Sequence, residues 1–190
     1  RECIAMGADR GFIVSSRDFK GSDTLATSYT LTMGVKYLGD FDIIFTGTQT
    51  IDGDTGQVGP ELAENLNINQ IGYVREIDFS DGKITATRES KDGMQVVEAK
   101  IPALVSVVRN ANEVIKPSEE DFEKVKDMTF DILSPEDILA DSSKIGISGS
   151  PTVVVEVFPP EEKKTGVIIQ GKDTEDKVNQ LVKILEEKTT

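Results

Sequence analysis

Two apolar runs of strand length, each followed by a polar turn and a helical pattern, set the tightest limit on how this chain folds. Gly11-Phe12-Ile13-Val14 is the first and Phe41-Asp42-Ile43-Ile44-Phe45 the second. Continuous runs this short suit strands buried on both faces. After the first run, Ser22 or Asp23 stands where a helix cap belongs and Gly39 where a helix ends, which predicts a helix over 23–38. Leu25, Tyr29, Met33 and Tyr37 recur along it at i, i+4, and Leu31, Val35 and Leu38 add a second stripe, so burial on two sides is expected. The second run leads through a glycine-rich loop into a helix over 56–66. Strand, helix, strand, helix in this rhythm pairs strands in parallel and sets helices on the sheet faces, so the expected class is α/β with an open, mostly parallel sheet.

The rhythm then changes. Residues 70–79, 83–89 and 94–100 are β-rich with no helix between them, and Ser80-Asp81-Gly82 and Asp92-Gly93 supply residues for tight hairpin turns. An antiparallel excursion over about 70–100 follows, and Leu104-Val105-Ser106-Val107-Val108 returns as a buried strand. From Asn112 to Asp141 acidic residues dominate, which reads as a mobile connecting segment with a short helix near 118–126 and another starting at Ser134-Pro135-Glu136-Asp137. Thr152 to Phe158 is strand-like, and Pro159-Pro160 should stop it. An amphipathic helix over 173–188, with Val178, Leu181, Val182 and Leu185 on one face, closes the chain and needs a surface to dock on. The expected division is a domain of residues 1–111, with the β excursion inside it, and an acidic linker and C-terminal arm over 112–190. Arg1 falls inside a helical pattern closed by Gly7, and the chain does not open with Met, so a piece of a longer polypeptide is expected.

The net charge of −13 over 190 residues repels a phosphate backbone and argues against nucleic-acid binding. With no histidine, Ser-His-Asp triads, His-ligated metals and His general bases are excluded. Cys3 is the single cysteine and has no internal disulfide partner, which fits a reducing, cytoplasmic setting. No apolar run approaches the roughly twenty residues of a bilayer span, so membrane insertion is not expected.

Chemistry concentrates between the second strand and the next helix. Thr46-Gly47-Thr48-Gln49-Thr50-Ile51-Asp52-Gly53-Asp54-Thr55-Gly56-Gln57-Val58-Gly59-Pro60 lies at the carboxyl end of a parallel strand, where open α/β sheets bind ligands. Its glycines permit close backbone approach, and the helix start offers free N–H groups to an anion such as a diphosphate. A loop that needs glycine only for its turns is the equally open alternative. The loop lacks the Lys-Ser or Lys-Thr of a Walker A motif, and Asp52-Gly53-Asp54 lacks the spacing of a calcium loop. Asp52 and Asp54 would repel phosphate, so capping, ribose hydroxyls or bracing of the loop suit them better. Gly21-Ser22-Asp23-Thr24-Leu25-Ala26-Thr27 also opens a helix after a strand; Thr24 and Thr27 either face the same crevice or are plain helix-surface hydroxyls.

Taken together, Ala5-Met6-Gly7-Ala8-Asp9-Arg10, Gly21-Ser22-Asp23-Thr24, the run Ile51 to Pro60, the stretch Glu89 to Val105 and Lys144 to Thr152 resemble the β subunit of electron transfer flavoproteins. The resemblance implies a Rossmann-like, adenine-nucleotide-binding α/β fold and a heterodimer with a larger, FAD-carrying α subunit. It also implies a nucleotide of the chain's own: FAD in electron-bifurcating members, whose loop this one is similar to, or structural AMP in the others. On that basis Gly47, Asp52, Gly53, Asp54, Thr55, Gly56, Gln57 and Val58 would contact pyrophosphate and ribose, and Thr24 and Thr27 would lie near the flavin ring. Implied partners are the α subunit, an acyl-CoA or similar dehydrogenase, NADH, and ferredoxin or flavodoxin. The family's first strand and its glycine-flanked loop would precede Arg1. An acidic Ser118 to Asp127 replaces a run that is usually basic, and Lys91 and Ser106 depart from the usual acidic and small residues. A stress-type ATP-binding module is the alternative of another class.

Overall fold

The apolar runs of the first half become strands and the capped stretches become helices. The computed structural model describes residues 1–159, 166 and 168–189. One helical turn, α1 (Glu2–Ala5), precedes β1 (Phe12–Val14), α2 (Thr24–Leu38), β2 (Ile43–Gly47) and α3 (Val58–Leu66). The Oδ1 of Asp23 caps α2 by accepting the Ala26 N–H at 3.1 Å, and Gly39 ends the helix. The excursion is β3 (Asn69–Ser80), β4 (Lys83–Ser90) and β5 (Gly93–Lys100), joined by turns in which Asp81, Gly82 and Gly93 take positive φ; β6 (Ala103–Val107) follows.

Five strands form one sheet in the order β2-β6-β3-β4-β5. β2, β6 and β3 run parallel, and β3-β4-β5 is an antiparallel ribbon. The fold is thus α/β with a mostly parallel core and an antiparallel extension, as the pattern predicts. One refinement concerns β1, which pairs in parallel with β7 (Asp131–Leu133) in a separate two-stranded sheet. Among the described residues β1 pairs only with β7 and β2 only with β6. The two strands joined through α2 therefore lie in different sheets, and each has one edge without a partner among the described residues.

Alternate residues of the central strands serve opposite faces. Leu104 and Ile44 pack against Leu62, Ala63 and Leu66 of α3. Ile43, Ala103, Val105, Ile71 and Val74 point the other way and share a cluster with Ile84 and Ala86 of β4 and Val97 and Ala99 of β5.

Helix α2 overturns the expected burial of its large residues. Leu25, Leu31, Tyr37 and Leu38 are exposed, and the buried positions are Ala26, Ser28, Thr30, Thr32 and Gly34. The buried hydroxyls cost little because the helix satisfies them: Ser28, Thr30 and Thr32 donate to the carbonyls of Leu25, Ala26 and Ser28 at 2.9, 2.8 and 2.7 Å. Small side chains also let the helix come close to β1, where a Cβ on Gly34 would sit 3.3 Å from Val14 Cγ2.

The acidic stretch is tied into the fold. It supplies β7 and a helix, α4 (Glu119–Val125), whose cap Ser118 exchanges hydrogen bonds with Asp121. The Ser118 hydroxyl and N–H, then Lys124, hold the Asp121 carboxyl at about 2. Ser134 to Ala140 forms hydrogen-bonded turns rather than a second helix. The expected strand over 152–158 does not form, because no neighbouring strand stands beside it; Val155 is 95% exposed. Pro160, part of the expected stop, lies outside the described residues.

The chain divides into two units, Arg1–Val154 and Val155–Thr190. The second, taken by itself, contains α5 (Thr174–Thr189), where Asp173 Oδ1 accepts the Asp176 N–H at 2.9 Å. Val178, Leu181, Val182 and Leu185 are exposed in it.

Candidate functional site

The loop after β2 closes around a cavity of about 260 Å³. Gly47, Thr55, Gly56, Gln57 and Val58 line it, together with Leu31 of α2, Thr46, Thr48, Gln49, Thr50 and Gly59. Gly56 holds φ +64, a left-handed conformation that glycine adopts without strain, and turns the chain into α3. Gln57 caps that helix without a side-chain hydrogen bond, so the opening N–H groups of α3 have no side-chain acceptor. Gly59 allows close approach, since a Cβ there would stand 3.0 Å from Thr46 Oγ1. That hydroxyl is buried and has no hydrogen-bond partner among the described residues.

Asp52, Gly53 and Asp54 do not line the cavity; all three are exposed on the outer turn. Their carboxylates brace the loop. The Thr50 hydroxyl, followed by the N–H groups of the turn itself, holds the Asp52 carboxyl below its usual range, and Asp54 accepts from the Gln49 amide. The Asp54 N–H turns inward, donating to the Thr50 carbonyl at 3.0 Å. Thr48 fixes the base of the loop, its hydroxyl donating to the Val107 carbonyl at 2.9 Å.

Thr24 and Thr27 also stay outside the cavity lining, but Thr24 connects the two helix starts. Its Oγ1 lies 3.3 Å from Gln57 Oε1 and 3.2 Å from Glu61 Oε1. The other carboxylate oxygen of Glu61 is buried without a partner. Leu31, assigned by its spacing to a buried stripe, instead faces the cavity; its position seven residues after Thr24, two helical turns along the same face, is the signal that finds it.

A second constellation joins two stretches that the sequence marks only separately. The segment after Lys144 folds back on the start of α2. Asp23 Oδ2 accepts from the Thr152 N–H at 3.0 Å and from its hydroxyl at 2.9 Å, while Ser150 Oγ accepts the Asp23 N–H at 2.8 Å. Burial works upward on the Asp23 carboxyl, but the hydrogen bonds from the Ala26 N–H and from Thr152 outweigh it and hold the group below its usual range. Its stabilising contribution is therefore complete above about pH 4, the ordinary Asp value, and disappears as pH falls through the depressed folded value. Replacing Asp23 by Ala is expected to cost about 1–3 kcal/mol at pH 7, from the lost cap and the lost tie. In urea titrations the gap between Asp23→Ala and parent should narrow as pH is lowered from about 4. A gap that stays constant across that range would remove the carboxylate from this role.

The cavity, the uncapped helix start and the close backbone suit an anionic, phosphate-bearing group. Comparison with known proteins shows the family to which the chain belongs. The family model described as electron transfer flavoprotein domain matches residues 1–133. The chain belongs to the electron transfer flavoprotein β-subunit family. It is 41% identical over 179 residues to the electron transfer flavoprotein subunit beta of Megasphaera elsdenii, covering 91% of this chain and 66% of that protein. Caffeyl-CoA reductase-Etf complex subunit CarD of Acetobacterium woodii is 37% identical over 188 residues, 99% of this chain and 72% of CarD. Protein FixA of Azorhizobium caulinodans is 39% identical over 171 residues, 86% of this chain and 61% of FixA. The chain spans about two thirds of the length of these curated relatives. No helix among its described residues is long and apolar enough to cross a membrane.

Proposed function

We propose that this chain is the nucleotide-holding subunit of an electron transfer flavoprotein pair of the bifurcating type, and that the loop between β2 and α3 holds the pyrophosphate of FAD. The observation that carries the reading is the cavity at the uncapped start of α3, with Gly56 and Gly59 keeping side chains out of it. Support for FAD over AMP comes from the loop Asp52-Gly53-Asp54-Thr55 followed by Gln57-Val58-Gly59-Pro60, the form that resembles bifurcating members.

In this reading the N–H groups of Val58 and Gly59 receive phosphate oxygens, and the Thr46 hydroxyl, otherwise unpaired, donates into the same space. Asp52 and Asp54 hold the loop's shape from outside, which keeps their charge off the phosphates. Thr24 and Thr27, at the start of α2, serve the ring end. A bound flavin would supply the electron-accepting and electron-donating chemistry; the chain supplies its position and surroundings. The partners that follow are the FAD-carrying α subunit, an acyl-CoA or related dehydrogenase, NADH as electron donor and ferredoxin or flavodoxin as acceptor, in the cytoplasm.

The test is a nucleotide count. The full-length chain, produced with its larger subunit, is denatured and the released nucleotides are separated. Two flavins per pair is the expected result. One flavin and one AMP would replace FAD by AMP at this site, and one flavin with no second nucleotide would overturn the assignment. Tight ATP binding by the chain without a partner would favour the stress-type alternative.

A further inference from the structure

Away from the loop, the antiparallel ribbon holds a cation without a counterpart among the described residues. Arg88 lies on β4 opposite Val74 of β3 and Gln95 of β5, on the face where Val74 is fully buried. Its Nε is buried and has no hydrogen-bond partner, and no carboxylate pairs with its guanidinium among the described residues. A guanidinium cannot shed its charge and carries five donors, so one held in this way invites an acceptor from outside the fold.

The two carboxylates that share a cavity lining with it are already engaged. Glu89 pairs with Arg75, and Glu98 pairs with Lys83 at 2.8 Å. Two cavities meet at Arg88. One, of about 430 Å³, is bordered by Glu98 and Lys100; the other, of about 500 Å³, by Tyr73, Glu89, Ser90 and Lys91. Of the charged residues that border the two cavities besides Arg88, the two acids are thus paired, and Lys91 and Lys100 have no carboxylate partner among the described residues.

The backbone beside the second cavity is strained. Tyr73 holds φ +62, a conformation that is rare for an aromatic residue, at the point where the pairing of β3 with β6 shifts register between Ile71 and Val74. The Ser106 hydroxyl, 3.3 Å away, accepts the Tyr73 N–H. At this irregularity Tyr73 is 46% exposed at the cavity rim. Strain of this kind persists where the surrounding structure fixes it, and an exposed Tyr next to an unpaired Arg is the pairing that carries binding energy at protein interfaces.

We propose that Arg88 is the anchor of a docking site for an acidic side chain of the larger, flavin-carrying subunit, received bidentately by the guanidinium with Tyr73 packed against the neighbouring residue. The identity of the partner rests on the function proposed above; the chemistry of the site does not. Lys91 and Lys100, which border the two cavities, favour the approach of acid. The site lies on β3 and β4, apart from the residues that line the nucleotide cavity.

The test is the dissociation constant of the full-length pair as a function of salt. Arg88→Met should weaken association about thirtyfold or more and flatten the salt dependence, since a charged contact is lost. Arg88→Lys, which keeps the charge but not the fork, should fall between Arg88→Met and the parent. The full-length Arg88→Met subunit should keep its circular dichroism spectrum, because no partner within its own fold is removed. Tight binding by the parent together with unchanged binding by both variants would overturn this inference and leave the proposed function standing. A parent chain that does not bind the larger subunit would overturn both. An Arg88→Met subunit that fails to fold, with Arg88→Lys binding as the parent does, would show that the arginine serves its own fold, and would also overturn it.

Discussion

Gly146→Val is expected to prevent the chain from reaching a stable folded state. Gly146 holds φ +55, and a Cβ placed there would stand 2.1 Å from the carbonyl oxygen of Asp18 and 3.3 Å from that of Lys20. Both obstacles are backbone, so no rotamer change relieves the contact. A β-branched residue in the left-handed region costs about 1–2 kcal/mol, and overpacking a buried position adds about 1–3. The damage then spreads through hydrogen bonds that Gly146 anchors. Its N–H donates to Ser22 Oγ at 3.1 Å, and its carbonyl accepts from Ser150 Oγ at 2.7 Å. Ser150 in turn accepts the N–H of Asp23, so the clamp on the start of α2 loosens as a unit. The combined loss is a large part of the roughly 5–15 kcal/mol that holds an ordinary domain together. Soluble yield and the thermal melting curve read the outcome, and a cooperative melt within about 3 °C of the parent would show that this contact relaxes at little cost.

Gly56→Val is expected to remove nucleotide while leaving the fold in place. The position needs φ +64, and a Cβ would lie 3.4 Å from the Thr48 carbonyl oxygen at the cavity wall. Holding valine there costs on the order of 1–3 kcal/mol, which is about tenfold to a hundredfold in affinity before any blockage by the side chain is counted. The loop sits outside the two main apolar clusters, so the melting curve should move far less than occupancy. The measurement is nucleotide retained per pair after purification, beside flavin in the larger subunit as an internal standard. Full retention would move the binding site elsewhere in the chain.

Much of the architecture is legible in local pattern. Period-two alternation and the turns at Asp81-Gly82 and Gly93 specify the ribbon, because a tight hairpin needs left-handed residues where these stand. Helix α2 is misread on which side it buries, because apolar spacing marks Leu25 and Leu31, whereas the buried side carries the small residues Ala26, Ser28 and Gly34, with Ser28 beside Asn65 of α3 and Gly34 beside Val14 of β1. The pairing of β1 with β7 joins residues 119 apart, such as Phe12 and Asp131, and no local feature announces it. Thr152 to Phe158 shows the converse limit: β-branched residues favour a strand, but only a neighbouring strand makes one. In the site, glycine positions point to Gly56, and Gly59 lies in the same run. The outward turn of Asp52, Gly53 and Asp54 depends on bonds to Thr50 and Gln49 that composition does not reveal. The tie between Asp23 and Thr152 spans 129 residues and is visible only in three dimensions.

The edges of β1 and β2 that have no partner among the described residues bear on how copies of the 190-residue stretch behave towards one another. A row of free N–H and C=O groups, flanked by Phe45 at 58% exposed, is a template onto which a foreign strand can add. Mutual repulsion from a net charge of −13 opposes such addition, and it reaches only about 10 Å at 0.1 M ionic strength and about 3 Å at 1 M. Colloidal stability of the 190-residue stretch thus belongs to its solvent as much as to its fold, and high-salt buffers strip away the protection that its acidity provides.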